Sequence, residues 1–149
     1  MNSPFDEMTR EILARFERTN AVRDSALNGS RQVVRACAST IRALHRGEID
    51  EASAELARAA ELLRKIREES STEPEVYWAG YVQDAMKEFA EANALMAIIT
   101  RADPPTPSSL GVEDAPFLNG LAEAASELRR LILHTLRGDD LEPATRSLA

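Results

Sequence analysis

The sequence predicts an all-α protein, an antiparallel bundle of long helices, and three observations support this class. Apolar residues recur at spacings near 3.5 through most of the chain, which is the period of a helix with one buried face. No segment alternates apolar and polar residues as a half-buried strand would. Aromatic residues make up only 5% of the chain, and the apolar share consists largely of Ala and Leu, which lose little side-chain freedom in a helix.

The first predicted helix runs from about Asp6 to Arg46. Its apolar positions are Ile12, Phe16, Val22, Ala26, Val33, Cys37, Ile41 and Leu44. Gly47 supplies a stop signal after it. Such a helix is about 60 Å long at a rise of about 1.5 Å per residue, so it needs partners along its length. We therefore expect copies of the chain to associate through helix faces as a homo-oligomer.

The remaining predicted elements are helices from about Asp50 to Glu69, Glu73 to Ile99, Asp114 to Arg137 and Asp140 to Ala149, with a loop from Arg101 to Val112. Thr72 and Glu75 have the spacing of a capping box, which predicts one continuous helix after them. The helix that Asp114 and Pro116 open carries a predicted core stripe made of Leu118, Leu121, Ala125, Leu128, Ile132 and Leu136.

Composition and charge exclude several classes of protein. The chain has 149 residues, 44% apolar and 29% charged, as expected for one globular domain over residues 1–149. Cys37 is the only cysteine, so neither an internal disulfide nor a cysteine zinc site can form. The sequence shows neither a signal peptide nor an apolar run long enough for a membrane, so we expect a cytoplasmic protein. A net charge of −7 argues against a surface that coats DNA nonspecifically.

Clustered carboxylates are the first candidate site. Asp84, Glu88 and Glu91 fall within an arc of about 60° on the third predicted helix. Like charges at this spacing repel one another, and a hard divalent cation such as Mg²⁺ or Mn²⁺ would relieve the repulsion. The alternative is a solvated acidic edge that Lys87, or an arginine from another helix, partly neutralises.

The helix after the loop offers a second set of polar residues. Glu123 and Glu127 are four residues apart and are predicted to project away from the apolar stripe, with Arg130 and His134 near them. If this face lines an internal cavity, the same residues form a site, and His134 can shuttle protons there. The alternative is an ordinary solvent-exposed helix face.

An arginine ridge is the third candidate. Arg31, Arg35, Arg42 and Arg46 lie along one side of the first helix over about 22 Å. Residues 30–46 contain no acidic residue, so the ridge suggests an anionic partner such as the phosphates of a nucleic acid. Ion pairs between subunits are the alternative.

Three stretches of the sequence together resemble the translin/TRAX family. Residues 41–48, IRALHRGE, resemble the end of the first helix in archaeal translin-like proteins, and residues 80–92, GYVQDAMKEFAEA, are similar to the glutamate-containing helix. Residues 110–130, LGVEDAPFLNGLAEAASELRR, are similar to a third family segment, and the RGD of residues 137–139 follows it. The resemblance covers nearly the whole chain.

The resemblance implies a fold, an activity and a site. Translin forms an all-helical shell of eight subunits that binds single-stranded RNA and DNA, whereas TRAX is an Mg²⁺-dependent endoribonuclease with acidic residues facing the interior. Glu88 and Glu91 match two of these acids. Glu123 matches the third, which is usually Asp. Translin itself has apolar residues at these three positions, so the sequence resembles the nuclease branch of the family. Family members also continue into another long helix, so the C-terminal helix of this chain is expected to be shortened.

We therefore expect an Mg²⁺- or Mn²⁺-dependent endoribonuclease that acts on single-stranded RNA within a homo-oligomer, which the resemblance suggests is an octamer. Glu88, Glu91 and Glu123 would hold the metal, and the arginine ridge would hold the phosphates. Asp84, Glu127, Arg130 and His134 would be accessory residues. One alternative is a translin-like protein that binds single-stranded RNA or DNA without cleaving it. Another is a scaffold whose charges all form ion pairs between subunits.

Overall fold

The all-α prediction is confirmed. A computed structural model describes residues 3–137, and this part of the chain contains helices and no strand. In chain order the helices are α1 (Pro4–His45), α2 (Ile49–Ser70), α3 (Pro74–Tyr77), α4 (Gly80–Thr100), α5 (Pro107–Leu110) and α6 (Asp114–Arg137). None of the helices in residues 3–137 has the length and apolar content to cross a membrane. The predicted helix from Asp140 to Ala149 lies outside the described residues.

Local signals set both ends of α1. The Ser3 hydroxyl accepts a hydrogen bond from the Phe5 backbone N–H, and the Asp6 carboxylate accepts one from the Ser3 N–H, so the free N–H groups of the first turn have partners. Gly47, with a φ of 74°, ends the helix in the left-handed region that glycine adopts at little cost. Only residues 46–48 separate α1 from α2, so these two helices form an antiparallel hairpin.

The single helix predicted from Glu73 to Ile99 is wrong, because the chain breaks between α3 and α4. Ala79 adopts an extended conformation with ψ 144°, and the Gln83 side chain donates a hydrogen bond to the Tyr77 carbonyl across the break. The predicted capping box of Thr72 and Glu75 is absent as well. Glu73 is the N-cap residue of α3 and makes no side-chain cap. Its carboxylate instead accepts a hydrogen bond from Thr19 of α1 at 3.0 Å, so a tertiary contact replaces the local one.

The segment predicted as a loop, Arg101 to Val112, contains the one-turn helix α5. Thr106 and Ser109 form a capping box around it, with side-chain to backbone distances of 3.1 and 2.9 Å. Gly111 ends it at a φ of 64°. The T-x-x-S spacing of Thr106 and Ser109 thus closes one turn, and Gly111 prevents it from continuing.

The core lies between α1, α2 and α4. Buried residues of α1 begin at Ala26, and α4 contributes the largest share of the core, including Met86, Phe89 and Leu95. The first part of α1 extends past this core. Its large apolar side chains Phe5, Met8, Leu13 and Phe16 are exposed. Homo-oligomerisation, which would cover such side chains, stays a prediction.

Helix α6 buries a different face from the one predicted. Leu118, Leu121, Ala125 and Leu136 of the predicted stripe are exposed, and Leu128 and Ile132 are only half-buried. The buried residues are instead Pro116, Phe117, Gly120 and Ala124. Small residues allow two helix backbones to approach closely, so the face that carries Gly120 and Ala124 packs on α4 and the leucines remain outside.

Gly120 marks the closest approach of α6 to α4. A Cβ atom added to it would lie 2.6 Å from the carbonyl oxygen of Lys87 and 2.9 Å from the backbone nitrogen of Glu91. Both distances are shorter than van der Waals contact. The backbone of α6 therefore rests directly on the turn of α4 that carries Lys87, Glu88 and Glu91.

Replacing Gly120 with alanine should push α6 away from α4. We expect Gly120→Ala to lower the free energy of unfolding by about 1–3 kcal/mol, the usual cost of overpacking, as measured by urea titration. Gly80→Ala is the matched control, because a Cβ at Gly80 meets nothing within 4 Å. An unchanged stability of Gly120→Ala would contradict the close packing described here.

Candidate metal centre

Three glutamates from two helices meet where α6 crosses α4. One carboxylate oxygen from each of Glu88, Glu91 and Glu123 lies within 4.8 Å of the other two. Glu88 and Glu91 are one turn apart on α4, and Glu123 reaches them from the turn of α6 that follows Gly120. The structure thus brings together the three residues that the sequence analysis selected as metal ligands.

Glu91 is the buried member of this carboxylate cluster of Glu88, Glu91 and Glu123. Only 7% of its surface is exposed, and no hydrogen bond or ion pair reaches its carboxylate from residues 3–137. Burial, together with the negative charges of Glu88, Glu123 and Glu127, raises the pKa of Glu91 to about 7. A buried carboxylate without a donor is costly, and a cation would remove that cost.

Lys87 neutralises part of the cluster. Its ammonium nitrogen lies 2.9 Å from Glu123 Oε1, 3.1 Å from Glu88 Oε1 and 3.2 Å from Asp84 Oδ1. Burial disfavours the charged ammonium, but hydrogen bonds to Glu123, Glu88 and Asp84 hold the pKa of Lys87 above its usual range. Asp84 itself is exposed and lies outside the group of three carboxylates.

Glu127 does not lie on an ordinary solvent-exposed helix face, which was the alternative interpretation for this residue. Its side chain is 15% exposed and contacts α1, where its Oε1 lies 2.7 Å from Nε2 of His45. Arg130 donates to the same oxygen at 2.6 Å. The second oxygen, Oε2, has no hydrogen-bond partner among the described residues. His134 is exposed, and within residues 3–137 no hydrogen bond or ion pair reaches it.

His45 is a site residue that the sequence analysis did not select. It is the last residue of α1, and only the packing of α1 beside α6 brings it to Glu127. Cys37 lies on the same helix, close enough to the cluster to feel its charge. Burial, together with the charges of Glu88 and Glu91, raises the pKa of the Cys37 thiol to about 12. The thiol is therefore neutral at physiological pH.

The arginine ridge lies away from the carboxylate cluster. At about 100° per residue, Arg31, Arg35, Arg42 and Arg46 fall about 120–180° around α1 from Cys37. All four are exposed. The expectation that they are unpaired is wrong for Arg46, which forms ion pairs with Glu48 and Glu51 at the start of α2. Residues 30–46 contain no acidic residue. The turn into α2 nevertheless brings Glu48 and Glu51 to the Arg46 end of the ridge.

Comparisons with known proteins place the fold. No protein-family model matches the sequence. The chain is 31% identical over 129 residues to the uncharacterized protein MJ0175 of Methanocaldococcus jannaschii, a match that covers 85% of this chain and 57% of that protein. This chain thus spans little more than half the length of that curated relative.

This chain matches three solved structures over a larger share of their length than it matches MJ0175. AfC3PO in complex with duplex RNA has a TM-score of 0.84 and 35% identity, over 95% of this chain and 72% of that one. AfC3PO alone gives the same TM-score and identity, over 73% of its chain. Apo-NeC3PO has a TM-score of 0.75 over 99% of this chain and 76% of that one, and its 22% identity supports the fold alone.

Removing the buried charge should stabilise the protein at high pH. The pKa of Glu91 rises from 4.5 to about 7 on folding, so folding binds a proton between these values and wild-type stability falls through this window, by up to about 3 kcal/mol. We expect Glu91→Gln to unfold at a higher temperature than wild type at pH 8 in EDTA, with the advantage shrinking toward pH 4.5. Glu61→Gln is the control, because the exposed carboxylate of Glu61 pairs with Arg64. This variant should not unfold at a higher temperature than wild type at either pH. An equal gain for Glu91→Gln at both pH values would contradict the assignment.

Proposed function

Because the chain belongs to the translin/TRAX family, we propose that it is a metal-dependent endoribonuclease in which Glu88, Glu91 and Glu123 hold Mg²⁺ or Mn²⁺. The observation that carries this proposal is the carboxylate cluster itself. Three carboxylate oxygens lie within 4.8 Å of one another, and one of the three side chains is buried. Hard divalent cations prefer such oxygen ligands.

The donor set fits a cation of this class. Two ligands come from one turn of α4 and the third from α6, so two packed helices fix the set and no loop is needed. When bound, the cation would supply activation of water and offset the charge that develops on the phosphodiester. The buried Glu91 would then be held ionised at neutral pH, because an adjacent cation favours the charged form.

Glu127 is the proposed proton acceptor. His45 and Arg130 both bind its Oε1, which orients the carboxylate and leaves Oε2 to accept a proton from the attacking water. The oxygen of that water forms the new bond to phosphorus, and the bond from phosphorus to the leaving ribose oxygen breaks. The leaving oxygen takes a proton from solvent, and Glu127 returns its own proton to solvent.

RNA is the proposed substrate class. The structure of the relative AfC3PO contains duplex RNA, and the family resemblance favours single-stranded RNA as the strand that is cleaved. Arg31, Arg35 and Arg42 are the proposed phosphate contacts, because all three are exposed and no ion pair with a described residue neutralises them. They lie away from the cluster, so they would hold a flanking part of the RNA.

Lys87 favours a second candidate function, single-strand binding without catalysis. Its ammonium already lies against Glu88 and Glu123, so two of the three carboxylates have a counter-ion supplied by the chain itself. A protein of this kind would bind RNA through the arginines and leave the RNA intact in Mg²⁺ or Mn²⁺.

Cleavage of labelled single-stranded RNA tests the proposed activity. We expect wild-type protein to cleave the single-stranded RNA in Mg²⁺ or Mn²⁺, and we expect EDTA to stop the cleavage. Duplex RNA is assayed in parallel as a second substrate. Glu88→Gln and Glu123→Gln should each abolish cleavage while RNA binding on filters survives, because the amide keeps the shape of the side chain but loses the charge. Glu61→Gln on α2 is the matched control. Undiminished cleavage by both cluster variants would rule out this site, and an inactive wild type that binds RNA would favour the second candidate.

The salt dependence of RNA binding tests the arginines. Each phosphate contact releases counter-ions, so the double variant Arg31→Glu, Arg35→Glu should bind more weakly and with a flatter dependence on salt concentration, by about 0.7 per contact for a single strand. Arg46→Glu is the control with a smaller expected effect, since Glu48 and Glu51 already pair with Arg46. A wild-type slope for the double variant would show that RNA binds elsewhere.

A further inference from the structure

Lys87 contacts the residues that a metal ion would need. Its ammonium lies within 3.1 Å of one oxygen of Glu88 and one oxygen of Glu123, and both carboxylates belong to the cluster of three. The Lys87 side chain is 20% exposed, so most of its surface is covered by its neighbours. The close contact at Gly120 fixes this position, because it brings Glu123 of α6 to the turn that carries Lys87.

An ammonium and a divalent cation compete at such a position. A cation bound by Glu88 and Glu123 would lie within a few ångströms of the Lys87 nitrogen, and a double and a single positive charge at about 4 Å repel strongly even in water. Lys87 contacts Oε1 of Glu88 and Oε1 of Glu123, so it occupies an oxygen of two of the three carboxylates. One of the two cations must therefore give way.

We propose that Lys87 sets the metal affinity of this site, because its ammonium and the divalent cation are alternative partners of Glu88 and Glu123. This inference rests on the proposed function, since it takes the cluster to be a metal site. Asp84 completes the arrangement. It lies 3.2 Å from the Lys87 nitrogen but outside the cluster of three, so it is the carboxylate that keeps Lys87 when a metal takes the other two.

Two consequences follow from competition. Lys87 stabilises the protein when divalent cations are scarce, because it offsets repulsion between Glu88 and Glu123. The same contact weakens metal binding, so the site fills only above a higher concentration of metal than three carboxylates alone would need. Glu91 is the cluster member that Lys87 does not contact directly, and within residues 3–137 no ion pair reaches its carboxylate.

Metal titration of wild-type protein and three variants tests the inference. Lys87→Met keeps the length of the side chain without its charge and should bind Mn²⁺ at least about tenfold more tightly by calorimetry. In EDTA it should also unfold at a lower temperature than wild type. Added Mn²⁺ should raise its unfolding temperature by more than it raises that of wild type. Lys87→Arg keeps the charge and should resemble wild type. Lys65→Met is the matched control, because Lys65 and Lys87 are the only lysines and Lys65 pairs with Glu69 on the surface of α2.

A second measurement uses unmodified wild-type protein. Amine-specific labelling followed by peptide mapping compares Lys87 with Lys65 in one sample. Mn²⁺ should raise the labelling rate of Lys87 several-fold relative to Lys65, because the displaced ammonium loses two of its carboxylate partners. An unchanged ratio while Mn²⁺ is bound would overturn the inference, even if Lys87→Met fails to fold.

The outcomes separate this inference from the proposed function. If wild type and Lys87→Met bind Mn²⁺ equally, competition by Lys87 is overturned while the metal site stands. Weaker binding by Lys87→Met also overturns it, and would mean that Lys87 supports the metal. If neither protein binds Mn²⁺ at millimolar concentration, the metal site itself is wrong, and the proposed function falls together with the inference.

Discussion

Gly120 allows α6 to rest on the backbone of α4, and the geometry of the candidate site depends on this contact. A side chain at this position would collide with the carbonyl of Lys87 and the amide of Glu91, so glycine is the residue that permits the approach. Glu123 lies one turn further along α6 and therefore reaches Glu88 and Glu91. The same contact turns the leucines of α6 outward. One close packing between two helices thus positions the carboxylates and leaves an apolar surface exposed.

Within residues 3–137, the carboxylates at this crossing outnumber the basic side chains that contact them. Glu91 is buried without a donor in the described chain, which raises its pKa. Glu88 and Glu123 share one ammonium, and Glu127 is tied to α1 through His45. Structural ion pairs usually match charges so that each carboxylate has its own donor. Four carboxylates near one lysine, one histidine and one arginine leave a local excess of negative charge that favours an added cation.

Most of the exposed large apolar residues among residues 3–137 lie in two places, the first part of α1 and the outer face of α6; Trp78 and Ile98 lie elsewhere. Neither of these two surfaces is covered by other residues of the described chain, residues 3–137. Phe5, Phe16, Leu118 and Leu136 all remain exposed. Large exposed apolar surfaces in water-soluble folds are normally covered by another surface. The chain spans 57% of the length of MJ0175 and 72% of that of AfC3PO, so those relatives contain segments without a counterpart here.

The sequence by itself determined the helical class, the bounds of α1, α2 and α6, and the family resemblance. These features follow from local rules, because the period of apolar residues, the Ser3 cap and the Gly47 stop act within a few residues of the chain. It also placed Glu88 and Glu91 on one face of a helix, since their spacing is a property of helix geometry. Only the tertiary structure decided that the helix breaks at Ala79 and that α6 buries its small residues instead of most of its leucines. It also decided that Lys87 reaches Glu123 and that His45 reaches Glu127. Those outcomes depend on the distances between helices, which are set where Gly29 meets Ile66 and Gly120 meets α4, and periodicity along one helix does not encode the distance to its neighbour.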